Sequence, residues 1–209
     1  NWFYAGRECI AYLAAFCRRD GDFNWGISAH PYPNRLCDPD FYNDANTEFS
    51  FETPKITLRN LEIWQKLVDL PELTYQGCPR TVIFDEQGFH TAFDDSESEN
   101  KGAYAFVLAY LKFKKCKNIE FFLINRDTDM PSDDESGLHL GIRYDKGYAD
   151  RRHLFAVPGD YKKIAYAISA MESEAGESWI RASEEYIAQN CFLFCWIHPI
   201  PRKVTILFQ

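Results

Sequence analysis

A short strand that ends abruptly in two carboxylates is the sequence feature that most constrains the fold. Thr81 to Phe84 follow the turn sequence Gly77-Cys78-Pro79 and have the bulk and β-propensity of a strand buried on both faces, as in parallel sheets. The apolar run stops at Asp85 and Glu86. In α/β barrels the carboxyl ends of such strands carry the chemistry, so Glu86 is the first catalytic candidate. The alternative is that both carboxylates only mark the solvated end of a strand.

Two further strands are predicted, and each of them also ends in polar side chains. Phe23 to Ala29 run into His30-Pro31-Tyr32-Pro33, where the two prolines end the strand. Ile119 to Ile124 run into Asn125-Arg126-Asp127-Thr128-Asp129. Because parallel strands place their carboxyl ends at one edge of a sheet, we expect His30, Glu86 and Arg126 to surround one cleft. For His30 alone, a hydrogen-bonded structural histidine is an equally good interpretation.

Helical segments are predicted between these strands. The first spans residues 4–18, the second opens at Thr53-Pro54 and closes at Pro71, and the third begins at Lys101. The acidic stretch 90–100 is expected to be a solvated loop, because its carboxylates lack the spacing of a calcium loop. Strands that alternate with helices in this way predict an α/β protein with a parallel sheet.

The last third of the chain is less regular. We expect an acidic excursion from Met130 to Asp150 and helices over residues 160–171 and 173–189. The apolar tail from Cys191 to Gln209 is interrupted by two prolines and is expected to form a hairpin against the core. The chain is therefore divided into one unit over residues 1–172 and a second over residues 173–209, which holds the last helix and the tail.

Composition narrows the set of partners. The chain of 209 residues carries a net charge of −8, which disfavours binding to nucleic-acid phosphates. It contains no apolar run long enough to cross a membrane, so no membrane partner is expected. Aromatic residues make up 16% of the chain and suit the stacking of flat ligands such as sugar rings. The seven cysteines are expected to be mostly buried thiols in a reducing compartment, with secretion as the alternative if the chain belongs to a longer precursor.

The motifs at the strand ends resemble those of a known family. Trp25-Gly26-Ile27-Ser28-Ala29-His30-Pro31-Tyr32-Pro33 and Glu86-Gln87-Gly88-Phe89, in this order and spacing, are similar to the C-terminal half of a family of uncharacterised, glycosidase-like (β/α)8 barrels, a domain of unknown function. Thr53 to Leu61, Asn125 to Asp129 and Leu138-His139-Leu140-Gly141 extend the likeness over roughly residues 5 to 170.

The resemblance implies that the three strands are the sixth, seventh and eighth of a TIM barrel. It also implies that Glu86 matches the nucleophile of retaining glycosidases, and no cofactor is expected. In such enzymes an Asn-Glu pair after the fourth strand supplies the acid/base, and this sequence contains no Asn-Glu pair. The acid/base is therefore expected outside this chain: either the chain is a fragment of a longer protein, or another polypeptide supplies the complementing N-terminal half. Self-association of the chain is the alternative to such a partner.

The chemistry of retaining hydrolysis is consistent with this role for Glu86. The reaction needs two carboxyls about 5–5.5 Å apart, of which one attacks the anomeric carbon and the other protonates the leaving oxygen. The nucleophile must stay ionised, so a donor is expected beside it, and His30, Tyr32 and Arg126 are the candidates. A hydrogen bond from Tyr32 to one Glu86 oxygen would leave the other oxygen free to attack. The expected substrate-binding residues are Trp25, which stacks on a sugar, and His30, Tyr32, Asn60, Gln87, Arg126 and Asp129. Weaker candidates for the acid within the chain are Asp127, Asp129 and Glu135.

Two other functions stay open. A non-catalytic carbohydrate-binding protein or pseudo-enzyme would keep the aromatic groove without a complete pair of carboxylates. A metal-dependent hydrolase would use His30, Asp85, Glu86 and Asp129, although the sequence contains no HxH or HExxH motif. Loss of glycoside hydrolysis in a Glu86→Gln variant would separate the first two, and loss of activity on chelation would favour the third.

Overall fold

The chain folds around a small parallel sheet. The computed structural model describes residues 6–92, 95–144 and 161–191. Its strands are β1 (Ile27–Ser28), β2 (Val82–Gln87) and β3 (Ile119–Ile124), in the spatial order β1-β2-β3, and both pairings are parallel. The predicted α/β architecture with a parallel sheet is thus confirmed. Within the described ranges the sheet is open, with β2 in the centre.

The first strand is shorter than the sequence predicted. Only Ile27 and Ser28 pair in full with β2, although the N–H of Ala29 still donates to the carbonyl of Ile83 at 3.0 Å. The strand ends where Pro31 and Pro33 remove two backbone donors, and the N–H of Tyr32 turns back to the carbonyl of His30 at 2.9 Å. The prolines therefore end the pairing just before the polar cluster, as expected.

A β-bulge interrupts β2 at its carboxyl end. Phe84 pairs with Phe122 and Gln87 pairs with Ile124, so three steps along β2 match only two along β3. The extra residue lies in the Asp85-Glu86 pair. A bulge breaks the strict alternation of side chains and re-aims them, and bulges are over-represented beside functional sites.

Helices cover one side of this sheet. The helices that the structure describes are α1 (Gly6–Arg19), α2 (Glu62–Val68), α3 (Ser96–Phe113), α4 (Pro131–Ser136), α5 (Lys163–Ala170) and α6 (Gly176–Asn190). The long helix α3 packs against β3 and also against α5 and α6. The helices predicted over residues 4–18, 160–171 and 173–189 are therefore present in the described residues as α1, α5 and α6. The predicted excursion after Met130 contains the short helix α4, and the predicted hairpin beyond Cys191 lies outside the described residues.

The second helix begins later than predicted. Thr53 does not cap a helix; its hydroxyl accepts from the N–H of Glu48 at 2.9 Å and donates to the carbonyl of Lys55 at 2.6 Å. Thr57 instead caps a 3-10 turn over Leu58–Asn60, and α2 starts only at Glu62. Thr53-Pro54 does not begin the helix, because the Thr53 side chain forms hydrogen bonds that close the loop instead.

The third helix begins earlier than predicted. Asp95 accepts from the N–H groups of Glu97 and Ser98 at 2.9 and 3.0 Å and so caps α3. The acidic residues Glu97 and Glu99 lie in the first turn, where carboxylates are favoured by the helix dipole. Much of the stretch that we expected to be an acidic loop is therefore the first turn of α3.

The aromatic core lies between the sheet and α3. Phe84 and Phe106 are fully buried, and both rings lie edge-on to Phe122, with centroid distances of 6.4 and 6.3 Å. Each such phenylalanine stabilises the fold by about 1.5–3 kcal/mol through burial alone. The sheet and α3 thus form two packed layers with the aromatic core between them.

The face of the sheet opposite α3 is partly exposed. Ser28, Ile83 and Phe121 lie side by side in register across the three strands. Phe121 is 40% exposed although it is in the middle of β3, and Ser28 is also exposed. In the part of the chain that the structure describes, the outer edges of β1 and β3 pair with no other strand.

A buried arginine holds the start of β2 to the segment before β1. The Arg80 side chain is 1% exposed and donates to both oxygens of Asp22, at 2.8 and 2.9 Å. It also donates to the carbonyl of Phe23 at 2.8 Å, and its guanidinium lies 3.9 Å from the centroid of the Trp25 ring. Charge, hydrogen bonding and a cation–π contact therefore fix this end of the sheet.

No helix in the described ranges is long and apolar enough to cross a membrane. The cysteines are less buried than we expected: Cys9, Cys37 and Cys78 are exposed free thiols, whereas Cys116 is buried and its burial raises the pKa of its thiol to about 12.

Candidate functional site

Residues from the ends of all three strands meet at the carboxyl edge of the sheet. The hydroxyl of Tyr32, which follows β1, donates to Oε1 of Glu86 near the end of β2 at 2.8 Å. Nδ1 of His30 lies 4.0 Å from the other carboxylate oxygen, Oε2. Of the three candidate donors, Tyr32 is therefore hydrogen-bonded to Glu86. Among the residues that the structure describes, the nearest charged or hydrogen-bonding group recorded for Oε2 is the His30 ring.

The bulge in β2 brings two consecutive carboxylates to the same imidazole. Nε2 of His30 lies 3.1 Å from Oδ1 of Asp85, while its Nδ1 faces Glu86. In a regular strand the side chains of Asp85 and Glu86 would point to opposite faces. With both ring nitrogens near a carboxylate, His30 links Asp85 to Glu86.

Tyr32 is held in its protonated, donating form. Burial, the hydrogen bond to Glu86 and the charge of Glu86 raise the pKa of Tyr32 well above its usual range, while Arg126 and the side chain of Asn125 oppose the shift. Tyr32 thus contacts groups from the ends of β2 and β3. Asn125 was not among the predicted site residues; its place directly after β3 was the signal for it.

The charge of Arg126 acts to lower the pKa of Tyr32, and the carboxylate of Asp133 holds the Arg126 guanidinium in place. Nη1 of Arg126 donates to both oxygens of Asp133, at 2.9 and 2.8 Å. The Asp133 side chain is 8% exposed and also accepts from the N–H of Met130 at 2.8 Å, so the start of α4 fixes the arginine. The sequence offered no sign of Asp133, because a carboxylate in a first helical turn is common.

Asp129, after β3, belongs to a buried polar cluster. Its Oδ2 lies 2.7 Å from Nζ of Lys162 and 3.5 Å from Nδ1 of His139, and its Oδ1 accepts from the N–H of Gly141 at 2.8 Å. A Cβ on Gly141 would lie 2.3 Å from the backbone nitrogen of Asp129, so only glycine permits this approach. Lys162 is fully buried, and burial lowers the pKa of its ammonium against the opposing pull of Asp129.

His90 joins the same cluster from the loop after β2. Its Nδ1 accepts from the N–H of His139 at 3.1 Å, and the N–H of Thr91 donates to the carbonyl of His139 at 3.1 Å. Burial, together with the charges of His139 and Lys162, lowers the pKa of His90. The loops that follow β2 and β3 are therefore tied together behind the strand ends.

Three other predicted site residues are buried in the fold. Asn60 is fully buried, and its side chain donates to the carbonyls of Glu48 and Lys55 at 2.7 and 3.0 Å, so it closes the loop before α2. Gln87 is fully buried, and neither of its amide atoms has a partner among the residues that the structure describes. The ring of Trp25 is 9% exposed and lies against the Arg80 guanidinium.

The candidate acids within the chain are not combined with Glu86 in a carboxylate pair. Asp127 forms an ion pair with Arg143, Asp129 is buried against Lys162, and Glu135 lies exposed on α4. No group of three or more histidine, cysteine or acidic side chains in the described ranges is arranged to hold a metal ion. The arrangement at the strand ends supplies one carboxylate with an oriented oxygen, a neutral phenol donor and a histidine.

Comparisons with known proteins give one match. A family model described as a family of unknown function, DUF5722, matches residues 1–190. That range contains every strand and helix described above, including α6, which ends at Asn190. No curated protein matches the chain, and no solved structure matches it.

Proposed function

This chain belongs to the family of unknown function DUF5722, and we propose that it forms the C-terminal part of a retaining glycoside hydrolase with Glu86 as the nucleophile. The observation that carries the proposal is the 2.8 Å hydrogen bond from Tyr32 to Oε1 of Glu86 at the carboxyl edge of a parallel sheet. It holds one oxygen of the carboxylate and leaves the second oxygen free to attack. The single hydrogen bond thus supplies the orientation that a nucleophile requires.

In the proposed first step, Oε2 of Glu86 attacks the anomeric carbon of the sugar. The bond from that carbon to the leaving oxygen breaks, and the leaving oxygen takes a proton from the acid/base group. A covalent ester then joins the sugar to Glu86. In the second step water attacks the anomeric carbon, gives its proton to the acid/base, and releases the Glu86 carboxylate.

The acid/base residue is proposed to lie outside these 209 residues, in the N-terminal half of a TIM barrel. Two observations support this: Phe121 is 40% exposed at the centre of β3, and the outer edges of β1 and β3 are unpaired within the described residues. Further strands would pair with both edges and cover this face. General acid help is typically worth about 10²–10⁴-fold in rate, so the 209-residue chain alone is expected to hydrolyse glycosides very poorly.

A non-catalytic carbohydrate-binding role is the second candidate. It is favoured by the pairing of two candidate acids with cations, since Asp129 is buried against Lys162 and Asp127 pairs with Arg143. In that role the cleft around Glu86 would bind sugar by shape and hydrogen bonding only. Mutation of Glu86 would then alter affinity but remove no turnover.

Trapping of the covalent intermediate tests the proposal. The natural full-length protein is incubated with 2-deoxy-2-fluoro glycosyl fluorides of common hexoses, which form the ester but release it slowly. We expect the mass of one sugar on the peptide that contains Glu86, and none in the Glu86→Gln variant. Hydrolysis of aryl glycosides without labelling of that peptide would refute Glu86 as the nucleophile, and binding without hydrolysis would favour the second candidate.

A further inference from the structure

Three aromatic side chains from three helices line a surface pocket that has no part in the Glu86 site. Tyr104 of α3, Tyr166 of α5 and Trp179 of α6 lie around a volume of about 420 Å³. This volume is within the range of about 300–1,000 Å³ typical of small-molecule sites. The residues are far apart in sequence and are brought together by the packing of α5 and α6 on α3.

The aromatic rings are held in place but are not fully covered. The ring of Tyr104 lies 6.2 Å from that of Trp179 and 5.2 Å from that of Tyr186, centroid to centroid. Tyr166 makes an edge contact with Tyr161 at 6.4 Å and is 51% exposed. About half of Tyr166 is therefore exposed and available to a ligand.

The polar groups of the pocket are fixed and include no carboxylate among the lining residues that the structure describes. Nζ of Lys163 donates to Oγ and the carbonyl of Ser96, at 2.8 and 3.2 Å, and to Oδ1 of Asn100 at 2.8 Å. Its three donors are thus used by neutral acceptors. Among the described residues, the amide nitrogen of Asn100 donates to no acceptor, and the hydroxyl of Ser178 accepts no hydrogen bond while it donates to the carbonyl of Ala175.

From this geometry we infer a second binding site that takes a neutral pyranose sugar ring. A sugar ring has an apolar face that stacks on tyrosine or tryptophan and a rim of hydroxyls that exchange hydrogen bonds with amides and hydroxyls. A phosphorylated ring such as a nucleotide is disfavoured by the net charge of −8 and by the saturated ammonium of Lys163. The site goes beyond the proposed catalytic function, because it shares no residue with the cleft at Glu86 and does not need Glu86.

Nuclear magnetic resonance of the indole N–H of Trp179 tests this site. The signal is assigned as the one that disappears in Trp179→Phe, and the chain is titrated with the tetrasaccharides of β-1,4-linked glucose, xylose and mannose. We expect at least one sugar to shift the signal with a dissociation constant of about 1 mM, equivalent to about 4 kcal/mol. Tyr166→Ala should weaken binding about tenfold, and Tyr166→Phe should bind as the unmodified chain does.

Two controls complete the test. Phe16→Ala removes an equally exposed ring from α1, at 56% exposure, and should leave binding unchanged. Glu86→Gln should also leave the Trp179 response unchanged, even if it abolishes catalysis in the natural full-length protein. The inference is overturned if none of the three sugars shifts the signal, if Tyr166→Ala binds normally, or if Glu86→Gln removes the response. A shift caused by p-nitrophenol but by no sugar would also overturn it, because the pocket would then be an unspecific apolar surface.

Discussion

The hydroxyl of Tyr32 donates a 2.8 Å hydrogen bond to Oε1 of Glu86, although 54 residues separate the two in the chain. The contact exists because β1 and β2 are parallel neighbours and both end at the same edge of the sheet. The phenol is held protonated by a raised pKa, for which burial is the largest cause. Tyr32 is therefore a permanent donor to one oxygen of the carboxylate.

Loss of this donor should slow the proposed reaction. Tyr32→Phe keeps the ring but removes the hydrogen bond, and a hydrogen bond to a charged group contributes about 1.5–3 kcal/mol. We expect kcat of the full-length protein to fall about 10- to 100-fold, with KM changed little, because the bond orients Glu86 rather than the substrate. Steady-state kinetics on an aryl glycoside measure both. An unchanged kcat would show that Tyr32 does not position the nucleophile.

The buried arginine at the other end of the sheet should contribute strongly to stability. Arg80→Met removes the 1% exposed guanidinium and leaves Asp22 without its partner. Removal of one member of a buried pair costs about 3–5 kcal/mol, and we expect the lower end, about 3 kcal/mol, because Asp22 keeps 18% exposure. Urea unfolding followed by circular dichroism measures the free energy of unfolding.

Two further variants serve as controls for Arg80. Arg19→Met removes an arginine from the pair with Asp20, whose side chains are 65% and 64% exposed, and should change stability only slightly. Arg80→Met combined with Asp22→Asn should recover part of the loss, because the unpaired buried charge is then gone. Equal losses of unfolding free energy in Arg80→Met and Arg19→Met would contradict a special stabilising role of the Arg80–Asp22 pair.

The histidine behind the site should make stability depend on pH. His90 is faced by His139, Lys162, Asp129 and Asp38, and its pKa is lowered below the ordinary 6.5, mainly by burial. The folded state therefore binds the proton more weakly than the unfolded state does. This contribution to stability is complete above about pH 6.5 and is lost as the pH falls below it toward the folded pKa.

His90→Asn tests this dependence. An asparagine oxygen can accept from the N–H of His139 as Nδ1 does, but it does not take up a proton in this range. We expect the melting temperature of the variant to fall less than that of the unmodified chain between pH 7 and pH 5, as measured by thermal melts. Identical slopes would mean that the titrating group is elsewhere.

The exposed face of the sheet predicts association. The isolated 24.4 kDa chain should self-associate unless residues 191–209 cover Phe121 and its neighbours. Association would bury the exposed apolar surface, and the open strand edges could form hydrogen bonds with a second copy. Sedimentation should show a mass that rises with concentration, and Phe121→Lys should lower it, whereas Phe16→Lys should not. A chain that stays monomeric even after removal of residues 191–209 would argue against a complementing half.

The arrangement of strands could be predicted from sequence, but the atomic roles could not. Alternation of apolar runs with helical segments indicated the parallel sheet, and the polar residues after each run indicated which side chains would lie at its carboxyl edge. The bulge that turns Asp85 and Glu86 to one histidine left no trace in the sequence, since it depends on the register with β3. The partners of Asn60, Asp129 and Arg126 could not be predicted either. They are loop carbonyls, the buried Lys162 before α5, and Asp133 in the first turn of α4.

The central claim, that Glu86 is the nucleophile, is tested most directly by turnover of two matched variants of the full-length protein. Glu86→Gln keeps the shape of the side chain but removes the attacking charge, so we predict a loss of about 10⁴-fold or more in kcat with sugar binding largely preserved. Glu135→Gln removes an exposed carboxylate of α4 and should change the rate by no more than about twofold. If Glu135→Gln is inactive while Glu86→Gln keeps a near-normal rate, the assignment of Glu86 is wrong.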